Sequence, residues 1–303
     1  MGNLELPRFV EIIEVGPRDG LQNESKFVPT QVKAEFIDAL WKAGFKEMEI
    51  TSFVSPKWVP QMGDAAEVMR LSGNLTRSIV LTPNKRGIDN ALSSGAKAVA
   101  VFIGVSSTFN LKNINKTTED AVNDLLPHIQ ELKKSGIYVR ACISTAFHCP
   151  YEGEVDPADT LALCKVLADA GVDELSVADT IGRATPAESF SLFSLLKREL
   201  PDILMAAHFH DTRKMALANI YASLCAGITR FDASAGGLGG CPFAPGASGN
   251  ASTEDVVYML HRMGIETGID LDLLAEAISV VEPHVTRELT SWYYQSYKKE
   301  QHS

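Results

Sequence analysis

The sequence predicts an α/β fold of the (β/α)8 TIM-barrel type with extra C-terminal helices, and three observations lead there. Short runs rich in β-branched and apolar residues recur eight times along the 303 residues. A longer stretch with helical spacing of apolar positions follows each of them. Five joints share one punctuation, a glycine where a helix should end: Ala43-Gly44-Phe45, Ser94-Gly95-Ala96, Ser135-Gly136-Ile137, Ala170-Gly171-Val172 and Ala226-Gly227-Ile228. Such an alternation closes most simply into a barrel, whereas an open doubly wound sheet usually has fewer strands and a Gly-rich first turn.

Taken in order, the first strand is read at 10–15. A helix at 30–43 follows, opened by Val28-Pro29-Thr30, because proline suits a first helical turn and threonine caps it. Strand 47–51, helix 64–71, strand 78–82 and helix 86–93 come next. Strand 98–103 is the most continuous apolar run, as a strand buried on both faces should be. Helix 118–135 and strand 138–145 lead to helix 157–170, which starts at Asp156-Pro157. Strand 174–178 leads to helix 186–200, which starts at Thr185-Pro186. Strand 204–210, helix 214–226, strand 230–233 and helix 254–262 complete the series, and parallel order follows from the alternation. The remainder, 268–303, holds an amphipathic stretch at 271–280 and the cluster Trp292-Tyr293-Tyr294. It is expected as a helical extension, packed on the barrel or over its mouth, of one catalytic domain spanning 1–303.

Composition narrows the partners. The net charge is −10 and no basic block exceeds two residues, which argues against nucleic acid. No apolar run approaches the ~18 residues of a membrane helix, so a membrane partner is not expected. The first residues show neither a basic-then-apolar signal pattern nor an Arg-rich transit pattern, and a cytoplasmic location is the default. The five cysteines are scattered without a C-x-x-C, which suggests neither a disulfide framework nor a zinc ribbon. The oligomeric state stays open, with a homodimer among the expectations.

In a barrel the chemistry belongs at the C-terminal ends of strands. The first strand exits into Gly16-Pro17-Arg18-Asp19-Gly20, which reads equally as a type I turn or as a functional loop. The seventh ends in His208-Phe209-His210. Residues two apart on a strand share a face, about 6.6 Å apart, so both imidazoles point the same way and suggest a metal site. After the last strand, the glycine-rich stretch 236–250 reads as a linker or, given its length and its Cys241-Pro242, as a lid over the site. Asp19, His208, His210 and Asn250 together offer a carboxylate, two imidazoles and an amide oxygen. That set without thiolate favours Mg2+ or Mn2+ with open positions over a structural zinc.

Five separated motifs, GPRDGLQNE, EITSFVSPKWVPQMGD, ADTIG, HFHDT and GGLGGCPFAPGASGN, resemble those of the 3-hydroxy-3-methylglutaryl-CoA lyase family within the wider metallolyase barrels. The resemblance spans roughly residues 9–260 in the family's order. It implies cleavage of 3-hydroxy-3-methylglutaryl-CoA to acetoacetate and acetyl-CoA, as in leucine degradation and ketone-body formation. It also implies Asp19, His208, His210 and Asn250 as metal ligands, Arg18 and Cys241 as catalytic residues, and Asp179, Glu49 and Glu254 as acidic site positions. One departure is Ser25, where many family members carry lysine; Lys26 follows it here.

These roles make chemical sense. Retro-Claisen scission of a tertiary alcohol needs the C3 hydroxyl proton removed, with Asp179 preferred over His208 as base because His208 is committed to metal. Arg18 would stabilise the enolate that departs, Glu49 would hold the guanidinium, and the Cys241 thiol would protonate carbon. Asp179 reads alternatively as a helix cap and Glu254 as a first-turn acid. Lys26, Lys57, Lys85 and Arg86 are candidates for the coenzyme A phosphates, with Gln22, Asn23, Ser52 and Ser144 as further substrate contacts. Related synthases and an aldolase share the Arg-Asp start but generally lack the Cys-Pro lid. A barrel that binds acyl-CoA without turnover is the reading from another class.

Overall fold

Eight parallel strands close on themselves, β1(Glu11–Glu14), β2(Glu47–Ser52), β3(Arg77–Leu81), β4(Ala98–Gly104), β5(Tyr138–Ser144), β8(Glu174–Asp179), β9(Leu204–Phe209) and β10(Arg230–Ala233), with β10 pairing back onto β1. The computed structural model describes residues 6–75, 77–240 and 249–301. A small antiparallel hairpin, β6(His148–Cys149) and β7(Gly153–Glu154), stands outside the barrel on the loop after β5.

The outer ring comprises α1(Thr30–Lys42), α2(Ala65–Ser72), α3(Lys85–Ser93), α4(Ser107–Ile114), α5(Thr118–Lys134), α6(Pro157–Asp169), α7(Pro186–Glu199), α8(Ala216–Cys225), α9(Thr253–Arg262) and α10(Leu271–Val281). Thr185 and Glu188 form a reciprocal capping box at the start of α7, and the Asp156 side chain accepts from Ala158 N at the start of α6. The expected alternation is present, with ends moved by a residue or two. The helix foreseen from 214 starts at Ala216, since Lys214 has a φ of 59°, outside helical space.

Two local features are additions to the expected plan. Helix α4 buries only Phe109 and Asn110, too little to print an apolar stripe in the sequence. The turn after β1 is a single π-helical turn, Gly16–Gly20, in which the amides of Arg18, Asp19 and Gly20 all point at the Val15 carbonyl. Such turns often mark functional positions in helical segments.

The C-terminal extension packs on the barrel as helices. Helix α10 packs against α9 and α1 and closes the ring. Helix α11(Trp292–Gln301) lies on α9, whose Asp255 accepts from the amides of Trp292 and Tyr293 at 3.1 and 2.8 Å. Between them the chain crosses the strand-end face, where Thr290 N donates to Gly236 O at 3.2 Å and Thr286 N to the Glu24 carboxylate at 3.0 Å.

Alternation along the strands decides what fills the barrel. On β3 and β4 the interior is apolar, with Ile79, Leu81, Ala98 and Ala100 in one cluster. The opposite wall is charged. Near the amino ends of the strands, Arg230 donates to Glu174 at 3.0 Å and Glu47 at 2.7 Å, and also pairs with Glu11. Farther along the strands, Arg140 lies fully buried among Glu49, Glu174 and Asp232.

Candidate metal centre

The π turn after β1 and the end of β9 meet over the carboxyl ends of the strands. Gly16 and Gly20 make the turn possible, since a Cβ at Gly16 would stand 2.6 Å from a Glu14 oxygen and one at Gly20 would stand 2.8 Å from Ser234 Oγ. Glu14 then ties the turn down. It accepts from Gly16 N at 2.7 Å, from Ala235 N at 2.9 Å and from the Thr253 hydroxyl at 2.7 Å, linking the loops after the first and last strands. Burial lifts its carboxyl to about 7.

Asp19, His208 and His210 converge there, each offering one ligand atom within 4.8 Å of the others. The two imidazole centroids are 5.2 Å apart, and His210 Nε2 lies 4.0 Å from Asp19 Oδ2. Asn250 arrives from the far side of the glycine-rich stretch. It forms a bridge with His210, and its Nδ2 donates to Asp19 Oδ2 at 2.8 Å. Close backbone approach brings it in, because a Cβ on Gly249 would stand 2.3 Å from Gly237 O.

The donor set fits a divalent cation. His210 Nδ1 and Asn250 Oδ1 are buried with no hydrogen-bond partner among the described residues. Leaving the Asn250 amide oxygen unpaired costs about 1–3 kcal/mol, and a cation beside it would use that lone pair. Burial, joined by the neighbouring His208, lowers the His210 imidazole to about 4, so it is neutral as a ligand must be. Burial pushes the Asp19 carboxyl upward, but the Arg18 charge, the two neighbouring imidazoles and the Asn250 hydrogen bond together outweigh it, and the group sits at about 2.

Arg18 stands beside this cluster, its Nε donating to Glu49 Oε2 at 2.6 Å and its Nη1 pairing with Asp19. Glu49, fully buried, turns its other oxygen to Arg140 at 2.7 Å. The site also draws on Asp232, which the sequence reading missed: its Oδ2 accepts from His208 Nδ1 at 3.0 Å and from Ser176 Oγ at 2.9 Å. Arg140 was missed with it. The signal was available, because a charged residue inside the apolar strand YVRACIS needs a buried partner.

Other expected residues are elsewhere. Asp179, the preferred base, fastens a turn. Ala178 is in register with His208, and Glu174 and Ser176 bond into the barrel, so alternation turns Asp179 outward. Its two oxygens accept from the amides of Arg183 and Ala184 at 3.0 and 2.9 Å, which fastens the turn after β8. Glu254 is anchored too. Both its oxygens accept from Gly236 N at 3.1 Å, and burial raises it to about 8.

Among the candidate substrate contacts, Ser52 is buried and donates to Leu81 O at 3.3 Å, which satisfies it inside the sheet. Asn23 Nδ2 donates to Gly240 O at 2.8 Å, at the edge of the glycine-rich stretch. Gln22 Oε1 is buried without a partner among the described residues, and Ser144 ends β5 half-buried. Lys26, Lys57 and Arg86 are exposed, while Lys85 pairs with Asp89 one helical turn on. Cys241 and the rest of 241–248, the expected acid and lid, lie outside the described residues.

Comparison with known proteins agrees with this geometry. The HMGL-like family model matches residues 9–281. The chain is 44% identical over 295 residues to the hydroxymethylglutaryl-CoA lyase of Bacillus subtilis (strain 168), covering 96% of this chain and 98% of that protein. It is 45% identical over 288 residues to the mitochondrial hydroxymethylglutaryl-CoA lyase of Mus musculus, covering 94% and 89% of the two. The crystal structure of hydroxymethylglutaryl-CoA lyase from Pseudomonas aeruginosa superposes with a TM-score of 0.94 at 40% identity, covering 97% of this chain and 99% of that one.

Proposed function

The chain belongs to the HMGL-like family, and from that premise we propose that it is a divalent-metal-dependent carbon–carbon lyase cleaving 3-hydroxy-3-methylglutaryl-CoA to acetoacetate and acetyl-CoA. The observation that carries the reading is the convergence of Asp19, His208 and His210 beside the buried guanidinium of Arg18. These three residues, with Asn250, would hold Mg2+ or Mn2+, hard cations suited to a carboxylate, imidazoles and an amide oxygen. When bound, such an ion supplies Lewis acidity for a hydroxyl group brought to the site.

The chain supplies the rest. Arg18 presents its guanidinium where the thioester enolate would gather charge, and Glu49 fixes the guanidinium so that no reorganisation is needed as that charge grows. The thiol of Cys241 is the acid we assign for protonating the enolate carbon, a role consistent with an ordinary thiol pKa of about 8.5. The whole chain acts as one catalytic unit, with 268–303 as its helical extension.

No helix among the described residues is long and apolar enough to cross a membrane. Cys142, Cys149, Cys164 and Cys225 are free thiols. Acetoacetate release by the purified protein tests the activity. Release should vanish with chelator and return with Mn2+, and turnover that survives thorough chelation would overturn the metal-dependent reading. Full turnover in Cys241→Ala would remove the thiol from the reaction.

A further inference from the structure

Three buried side chains in the barrel interior, Glu49, Arg140 and Asp232, connect the metal cluster to Arg18. Arg140, on β5, is fully buried. Its Nη1 donates to Glu49 Oε1 at 2.7 Å, its Nη2 pairs with Asp232 Oδ1, and its Nε lies 3.2 Å from Glu174 Oε2. Each of the first two partners spends its other oxygen on the site. Glu49 Oε2 accepts from Arg18 Nε at 2.6 Å, and Asp232 Oδ2 accepts from His208 Nδ1 at 3.0 Å. The chain of contacts runs Arg18, Glu49, Arg140, Asp232, His208 without a gap.

We propose that Arg140 is a positioning residue that sets the metal ligand and the enolate-stabilising arginine in one rigid frame, acting through Asp232 on the first and through Glu49 on the second. The inference rests on the lyase reading above and deepens it. The physical reasons are separate for the two arms. A ligating histidine needs its second ring nitrogen held, so that its tautomer and plane are fixed. With Asp232 on Nδ1, the imidazole keeps Nε2 for the cation. On the other arm, a carboxylate shared between two guanidiniums cannot swing toward either alone, which fixes the plane of the Arg18 fork. Arginine suits the post because its planar fork reaches several carboxylates at once, whereas an ammonium is a single point charge.

The arms predict separable effects. Mn2+ affinity is measured by electron paramagnetic resonance, kcat and KM by acetoacetate release, and the folded fraction by circular dichroism. Asp232→Asn should weaken Mn2+ binding about 10- to 100-fold, with excess Mn2+ restoring most of the rate. Glu49→Gln should lower kcat about 10-fold or more while leaving Mn2+ affinity within about twofold. Arg140→Gln should do both. Adding Asp232→Asn to Arg140→Gln should weaken Mn2+ binding no further than the stronger single change, because the two act on one arm.

Should Arg140→Gln fail to fold, Arg140→Lys is the variant to read, since it keeps a buried positive charge. The frame predicts that it folds yet still loses both Mn2+ affinity and kcat per folded molecule. Wild-type Mn2+ affinity and kcat in folded Arg140→Lys or Arg140→Gln would overturn the inference, as would losses no larger than the drop in folded fraction. Failure of the wild type itself to bind Mn2+ or release acetoacetate would instead sink the lyase reading, so the two failures are distinguishable.

Discussion

Arg230 and Arg140 sit one above the other along the same barrel axis, share Glu174, and are each ringed by carboxylates. Their chemistry is alike and their consequences differ. The partners of Arg230 are Glu11, Glu47 and Glu174, at the amino ends of the strands, and they lead to Arg77 and Tyr138. The partners of Arg140 lead to Arg18 and His208. The lower ring therefore neutralises and fills the barrel floor, while the upper one hands its fixed geometry to the reacting groups. Conserving a buried ion pair's geometry is of value here because of what the pair touches, since buried pairs by themselves are weak evidence for stability.

Breaking that contrast begins with the groups above the upper ring. Asp19→Ala removes a ligand and should cost turnover on the order of 10³-fold, with Mn2+ binding lost in calorimetry. Asp19 is the least buried of the three clustered residues, so the melting temperature should change little. A variant that keeps Mn2+ affinity would remove Asp19 from the centre. Arg18→Lys should lower kcat about 10²-fold, because an ammonium cannot reproduce a fork aimed at both Glu49 and the enolate, and Mn2+ affinity should stay near the wild-type value.

The lower ring should answer in the opposite way. Arg230→Met takes a buried cation from Glu11, Glu47 and Glu174, of which Glu47 keeps Arg77 and Glu174 keeps Arg140, and should cost up to about 3–5 kcal/mol in urea unfolding. The folded fraction should keep its kcat and Mn2+ affinity within about twofold. A large loss of kcat per folded molecule would erase the distinction between the two arginines.

The smallest effect concerns a carboxylate that neither arginine touches. Burial holds Glu254 at about 8 against an ordinary 4.5. A proton is thus bound more tightly in the folded chain than in the unfolded one. The resulting stabilisation is full below pH 4.5 and is lost as pH rises through about 8. Glu254→Gln should flatten the fall in unfolding free energy across that window. Glu14, raised to about 7, preserves part of the slope, and an unchanged profile would place the proton elsewhere.

Much of the barrel was legible from local pattern. The strand and helix order, the proline starts and the His208/His210 pair depend on residues within a few positions of one another. Asp19 and Arg18 were legible because they end a strand in a fold whose strand ends carry the chemistry. Helix α4 was not, since two buried residues leave no period to see. The direction of Asp179 was not legible for a related reason. Its motif marks a strand end, but which face it takes depends on the register that puts Ala178 beside His208.

By itself the sequence determined the alternating elements, the family and the candidate ligands, because hydrophobic period, caps and motif residues are short-range properties of the chain. Only the tertiary structure decided which charges meet inside the barrel. Arg140 is 91 residues from Glu49 and 92 from Asp232, and closing the sheet brings all three to one level. The physical reason is that a strand's period names two faces without saying which is inside, and ring closure with its register supplies that choice for every strand together.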